Sequence, residues 1–243
     1  MLPANLKTLI FGHNFNELLE TNVLPEGLLT LKMGCHYNKP LLKGSLPASI
    51  QDLTMGSAFN KLLPVGALPN DLQHLRLGDR FKQPLLLGML TEGLLNLTFG
   101  DSFNSPLLVG VLPASLLNLT LGYHFNQPLT SRAIPENLLT LKMGDDFNQP
   151  LHAGALPDGL KELKLGYDFN QLLRPGVLPK NLLSLTVRGS FNQPLRPGVL
   201  PVGLLTLNLG YCFNQTLEGA LPESLLTLTL SGNFNQPLQT GIL

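Results

Sequence analysis

The side chains able to do chemistry are few and far apart. Five histidines (His13, His36, His74, His124, His152) and two cysteines (Cys35, Cys212) are the natural candidates for a transition-metal site or for a nucleophile with its base. None of them stands at a Cys/His ligand spacing, and no GxSxG, P-loop or HExxH pattern occurs. The carboxylates Asp79, Asp101, Asp145, Asp146 and Asp168 suggest calcium at first sight. Calcium takes about six to eight oxygens in close array, and these acids are spread too thinly to supply them. The expectation is therefore a chain that is not an enzyme and holds no metal or cofactor.

What has to position these side chains is a repeat. A unit of 22 residues begins at Leu2, Leu24, Leu46, Leu68, Leu90, Leu112, Ile134, Leu156, Leu178, Leu200 and Leu221, with a last step of 21. The missing residue falls between Leu217 and Gly219, in an outer loop. The second position is Pro in every copy except Thr91, which marks a turn. The fifth, eighth and tenth positions are apolar, as in Leu72, Leu75 and Leu77. Alternation between eighth and tenth has the period of a strand with those side chains inward. Gly usually follows, as in Gly34 and Gly78, where positive φ or close backbone approach is needed. Arg188 and Ser231 replace it, but Gly189 and Gly232 come next, so the kink is expected to slip by one residue.

An aromatic column then runs from Phe15 through Tyr37 to Phe234, and Asn follows it in all copies but one. Stacked rings predict a continuous spine, and stacked amides a hydrogen-bonded ladder. Lys82 is the exception. It brings no acceptor, so a local defect is expected there, with its ammonium reaching water. Between each Asn and the next Pro, Pro and Gly are frequent, as in residues 193–198, so that segment reads as extended with turns. A single unit cannot bury its own Leu and Phe, and stacking must supply the core.

Composition narrows the partners. The chain has 16 basic and 16 acidic residues and a formal net charge of zero. That balance gives no electrostatic reason to expect nucleic acid or an anionic membrane. Neither a signal peptide nor an apolar run of membrane-spanning length is seen. Cys35 and Cys212 lie eight coils apart, about 38 Å at the usual strand spacing. A disulfide needs Cα atoms within about 7 Å, so two free thiols and a cytoplasmic location are expected.

At this point the residues carry a resemblance. LxxLxL after an LP turn is similar to a leucine-rich repeat, and the phrase FNQPL at a 22-residue period resembles the FNIP repeat, over residues 2 to 242. The departures are an Asn placed five residues after the last strand Leu and Gln127-type residues where the family name has Ile. The resemblance implies a mainly β, leucine-rich-repeat-like, right-handed solenoid. Its eleven coils would form one domain over residues 1–243, with a parallel sheet on the concave face and little or no helix. It also implies a protein-binding scaffold. Some members carry an F-box ahead of the repeats; with the array starting at Leu2, that association is not expected here.

A protein partner of unknown identity would meet the outward strand positions and the loop after the Gly. The candidate residues are Lys32, His74, Arg76, Asp79, Asp101, Tyr123, Lys142, Asp145, Asp146, Lys164, Tyr167 and Asp168. They bring together the Tyr, Arg, Lys and Asp side chains that can anchor a protein interface. Two other readings remain open. The ends, Met1-Leu2 and Gly241-Ile242-Leu243, carry no polar cap, which points to a fragment, to frayed ends, or to self-association end to end. Thr98, Thr120, Thr186, Thr227 and Thr229 suggest the regular Thr arrays of ice-binding solenoids, but Lys32, Arg76, Lys142 and Lys164 interrupt them.

Overall fold

The computed structural model describes residues 2–238. The expected uncapped end at Gly241-Ile242-Leu243 lies outside them, as does Met1. Eleven short strands follow one another: β1 (Thr8–Ile10), β2 (Thr30–Lys32), β3 (Asp52–Thr54), β4 (His74–Arg76), β5 (Asn96–Thr98), β6 (Asn118–Thr120), β7 (Thr140–Lys142), β8 (Glu162–Leu165), β9 (Ser184–Val187), β10 (Thr206–Leu209) and β11 (Thr227–Leu230). They form one parallel sheet in chain order, and no helix occurs among the described residues. Leu53 pairs with Leu75, Leu75 with Leu97 and Leu97 with Leu119, so the sheet register is the sequence period. At the last step Thr206 pairs with Thr227, which absorbs the deletion. The turn from Leu217 to Ala220 is kept, and the lost residue is the spacer ahead of it.

The core is the set of columns read from the sequence. The eighth-position leucines from Leu31 to Leu207 are buried, with Leu31, Leu141 and Leu163 at 0% exposure, and Leu9 and Leu228 in the end coils are half-buried. The aromatic rings from Phe15 to Phe234 stack face to face, with centroids 6.0 to 6.3 Å apart. Each fully buried ring contributes about 2 to 3 kcal/mol of apolar burial. The Pro column caps the approach to each strand by accepting a turn hydrogen bond, for example Leu72 N–H to the Pro69 carbonyl at 3.2 Å. Thr91 accepts the same bond from Leu94, but its own Oγ1 is buried with no partner. Thr91→Pro removes that hydroxyl and narrows the unfolded ensemble. It is expected to stabilise the chain by about 1 kcal/mol, read as a shift of the urea midpoint.

The Asn ladder exists, with a different bonding pattern from amide-to-amide pairing. Each Asn Oδ1 accepts the backbone N–H of the corresponding residue one coil on, such as Asn148 N–H to Asn126 Oδ1 at 3.0 Å. Nine of the ten steps between coils are made this way. Seven glutamines in the next column add a second donor to the same oxygen, as Gln171 Nε2 does to Asn148 at 2.9 Å. Both lone pairs of the carbonyl are thereby used. The missing step is the one expected at Lys82. Its N–H reaches Asn60 at 3.1 Å, but it offers nothing to Asn104, where the ladder restarts. Ser105 Oγ partly bridges the gap by donating to the Lys82 carbonyl at 3.3 Å.

Tyr37 is the one hydroxyl in the aromatic spine. Its ring is fully buried between Phe15 and Phe59, and its OH has no partner. Burial pushes its pKa up to about 12. Ionisation therefore lags behind that of Tyr37 in the unfolded chain, which takes place near the ordinary 10.0. Below that pH the group adds no pH dependence. Between the two values the unfolded chain ionises first, and stability falls. Tyr37→Phe is expected to gain about 1 kcal/mol at neutral pH. Denaturation midpoints at pH 8 and pH 11 should also lose most of their difference in this variant.

Candidate binding surface

The strand burial pattern settles which side faces out. In β4, Leu75 is buried while His74 and Arg76 are exposed. Because every strand is in register, outward residues form two rows across the sheet. One runs Lys32, Thr54, Arg76, Thr98, Thr120, Lys142, Lys164, Thr186. The other runs through Asp52, His74, Asn96, Asn118, Thr140 and Glu162. Thr98 and Thr120 adjoin, but cations flank them on both sides, so no regular Thr lattice forms.

Five of the twelve candidates converge. Arg76, Asp101, Tyr123, Lys142 and Asp145 line one groove of about 210 Å³, floored by Thr98, Thr120 and the strand ends at Phe99, Leu121 and Met143. None of the four charged groups takes part in an ion pair among the described residues. Tyr123 is 49% exposed and stands edge-on to His124, with ring centroids 4.9 Å apart. The groove therefore offers two cations, two carboxylates and an aromatic ring, all free to engage a partner.

The other candidates have different situations. His74 lies in an adjoining depression with Arg76, 3.9 Å from Asp52 and bonded through Nδ1 to Asn96 Nδ2 at 2.7 Å. Asn118 Nδ2 donates onward to Asn96 Oδ1, also at 2.7 Å. Lys164 is held by Glu162 on the same strand at 2.6 Å. Asp146 is held by His124 Nδ1 at 2.7 Å. Lys32 is exposed but two strands away from Arg76, and half-buried Asp79 contributes its backbone carbonyl to Ser102. Asp168 is exposed outside the groove. Tyr167 lies where a side chain on Gly189 would have to go. The pairing of His124 with Asp146 and the row of bonded amides are not visible in the sequence. Both arise from contacts between residues 22 apart whose rotamers the spacing alone does not set.

Gly189 also explains the slipped kink. It takes φ +48 under the Tyr167 ring, and Gly232 takes φ +53 under Tyr211. In each case a Tyr one coil earlier occupies the room that the ordinary column leaves for a side chain.

Comparison with known proteins places this architecture. The FNIP Repeat profile matches residues 1–36, 37–80, 81–124, 125–168, 169–212 and 213–243, most matches spanning two coils. The chain belongs to the FNIP repeat family. It is similar to the solved structure of CroV588, a circular LRR protein, with a TM-score of 0.93 and 36% identity. That likeness covers 100% of this chain and 39% of the other, so the chain spans well under half of CroV588. It is also similar to YopM from Yersinia enterocolitica WA-314, with a TM-score of 0.55 and 25% identity, over 94% of this chain and 51% of that one. A search of curated protein sequences found no match. FNIP repeats thus form a leucine-rich-repeat-like solenoid, a scaffold typical of protein-interaction domains.

Proposed function

We propose that this FNIP array is a non-enzymatic scaffold that binds a protein through the groove over coils four to seven. The observation that carries the reading is the unpaired set Arg76, Asp101, Tyr123, Lys142 and Asp145 around one depression. Protein hot spots are enriched in Tyr and Arg at points that become fully desolvated. Free charges of both signs select a partner of matching pattern and reject others. The free thiols of Cys35 and Cys212 support a cytoplasmic setting.

The test compares proteins captured by the intact chain with those captured by two variants. Arg76→Ala combined with Lys142→Ala should release a partner that the intact chain retains. Lys164→Ala, which disturbs only a cation already held by Glu162, should leave capture unchanged. Retention by the double variant would move the site away from this groove.

A further inference from the structure

A net charge of zero conceals a segregation of charge around coils two to nine, whereas in coils one and ten the same edge carries Glu17, Glu20 and Glu218. Take the segment from the ladder position to the following turn in coils two to nine: residues 38–44, 60–66, 82–88, 104–110, 126–132, 148–154, 170–176 and 192–198. It carries the exposed cations Lys43, Lys61, Lys82, Arg132, Arg174 and Arg196, together with half-exposed Lys39. It contains no acid. All twelve acids between residues 24 and 199 lie at other positions of the repeat. The four ion pairs among the described residues use none of these cations.

The same edge carries aliphatic side chains where turns are ordinarily polar. Hydrogen-bonded turns close from Pro64 to Ala67, from Leu86 to Met89 and from Leu108 to Val111, at 3.0, 3.1 and 3.3 Å. Their second residues are Val65, Leu87 and Val109, which are 60%, 73% and 62% exposed. The third residues, Gly66, Gly88 and Gly110, have positive φ and bear no side chain to cover them. Val65 approaches the Gly88 turn and Leu87 the Gly110 turn, so the apolar tips are contiguous from coil to coil. Leu86 and Leu108 widen the strip. In coils six to nine the same tip is Ser131, Ala153, Pro175 and Pro197, which confines the large aliphatic groups to coils three to five.

We propose that this turn edge docks on an anionic lipid bilayer. In coils three to five the exposed tips Val65, Leu87 and Val109 make a ridge, and the depressions on this edge lie to either side, beside Lys43 and beside Arg174. A peptide helix or strand needs a groove or a sheet edge instead. A nucleic acid would use the cations but give the aliphatic tips nothing to bury in. A bilayer interface serves both: the tips enter the boundary of the acyl chains, and the flanking lysines face anionic headgroups. Arg132, Arg174 and Arg196, farther along the same edge, add attraction that salt screens. No helix of the described residues is long and apolar enough to cross a membrane. The edge lies away from the sheet groove, and the proposal does not depend on what that groove binds.

Vesicle flotation of the intact chain tests it, using phosphatidylcholine with and without phosphatidylserine. The chain should float only with the phosphatidylserine vesicles, and less at high salt. Two surface variants separate the components: Lys43→Glu with Lys61→Glu, and Val65→Ser with Leu87→Ser and Val109→Ser. All five positions are exposed, and unchanged melting curves confirm folding. Each variant should partition about tenfold more weakly. No flotation of the intact chain overturns the proposal. So does undiminished flotation of either variant. If the serine variant floats like the intact chain and heparin displaces both, the edge is a general polyanion surface and not a bilayer site.

Discussion

Gly122→Ala is expected to cost about 4 kcal/mol or more and to separate the fifth coil from the sixth. A methyl group at Gly122 would fall on the Gly100 carbonyl oxygen, well inside contact distance. The obstacle is the backbone of Gly100 and Asp101 in the preceding coil, so no side chain can swing away, and only the coils themselves can move apart. Separation would strain the flanking strand pairing between Leu97 and Leu119 and the ladder bond from Asn126 to Asn104. In a stacked array each coil is stabilised by its neighbours, so this interface would become a boundary between two weaker cooperative units. Two controls isolate the cause. Gly12 occupies the same column with nothing within 4 Å of the added methyl, and Gly203 is equally unobstructed. Both alanine variants should melt close to the parent. Urea denaturation followed by circular dichroism would show a broadened or two-step curve for Gly122→Ala alone; a single unshifted transition would contradict the packing argument.

The second large effect lies in the aromatic spine. Phe147→Ala removes a ring with 0% exposure that stacks on Phe125 at 6.3 Å and on Phe169 at 6.1 Å. Large-to-small changes of this kind cost about 3 to 5 kcal/mol, part of it the cavity that remains. Phe147→Leu keeps most of the volume and should recover more than half of the loss. Hydrogen exchange gives the sharper readout. Protection should fall first at Asn148 and Asn170, whose N–H groups are held by the ladder beside the lost ring. Uniform loss of protection along the whole chain would mean that the array unfolds as one unit.

The comparison between sequence and structure divides along a physical line. Columns of identical type, such as Leu31 to Leu207 or Phe59 to Phe213, are legible because burial imposes the same demand on every coil. The strands, their register and the gap at Lys82 follow from that repetition. Two features needed the geometry. The role of the glutamine column depends on the second lone pair of an oxygen 23 residues earlier, which composition does not reveal. The grouping of Arg76, Asp101, Tyr123, Lys142 and Asp145 depends on which charges are already paired, and only side-chain positions show that Lys164 and Asp146 are taken. The basic turn edge was written in the sequence throughout, but a whole-chain charge sum averages it against twelve acids on other faces.

Among the described residues, every side-chain hydrogen bond between coils joins residues 20 to 23 apart, so none reaches beyond the adjacent coil. The copy number is therefore an adjustable dimension, much like the count of links in a chain. Excising one coil would bring together two faces that already match, orphaning no long-distance partner. The exceptions are the neighbours coupled by Tyr167 over Gly189 and by Tyr211 over Gly232, which must be lost or duplicated as pairs. Natural or engineered lengthening of such an array should therefore tolerate single insertions among the first seven coils and favour double ones beyond them.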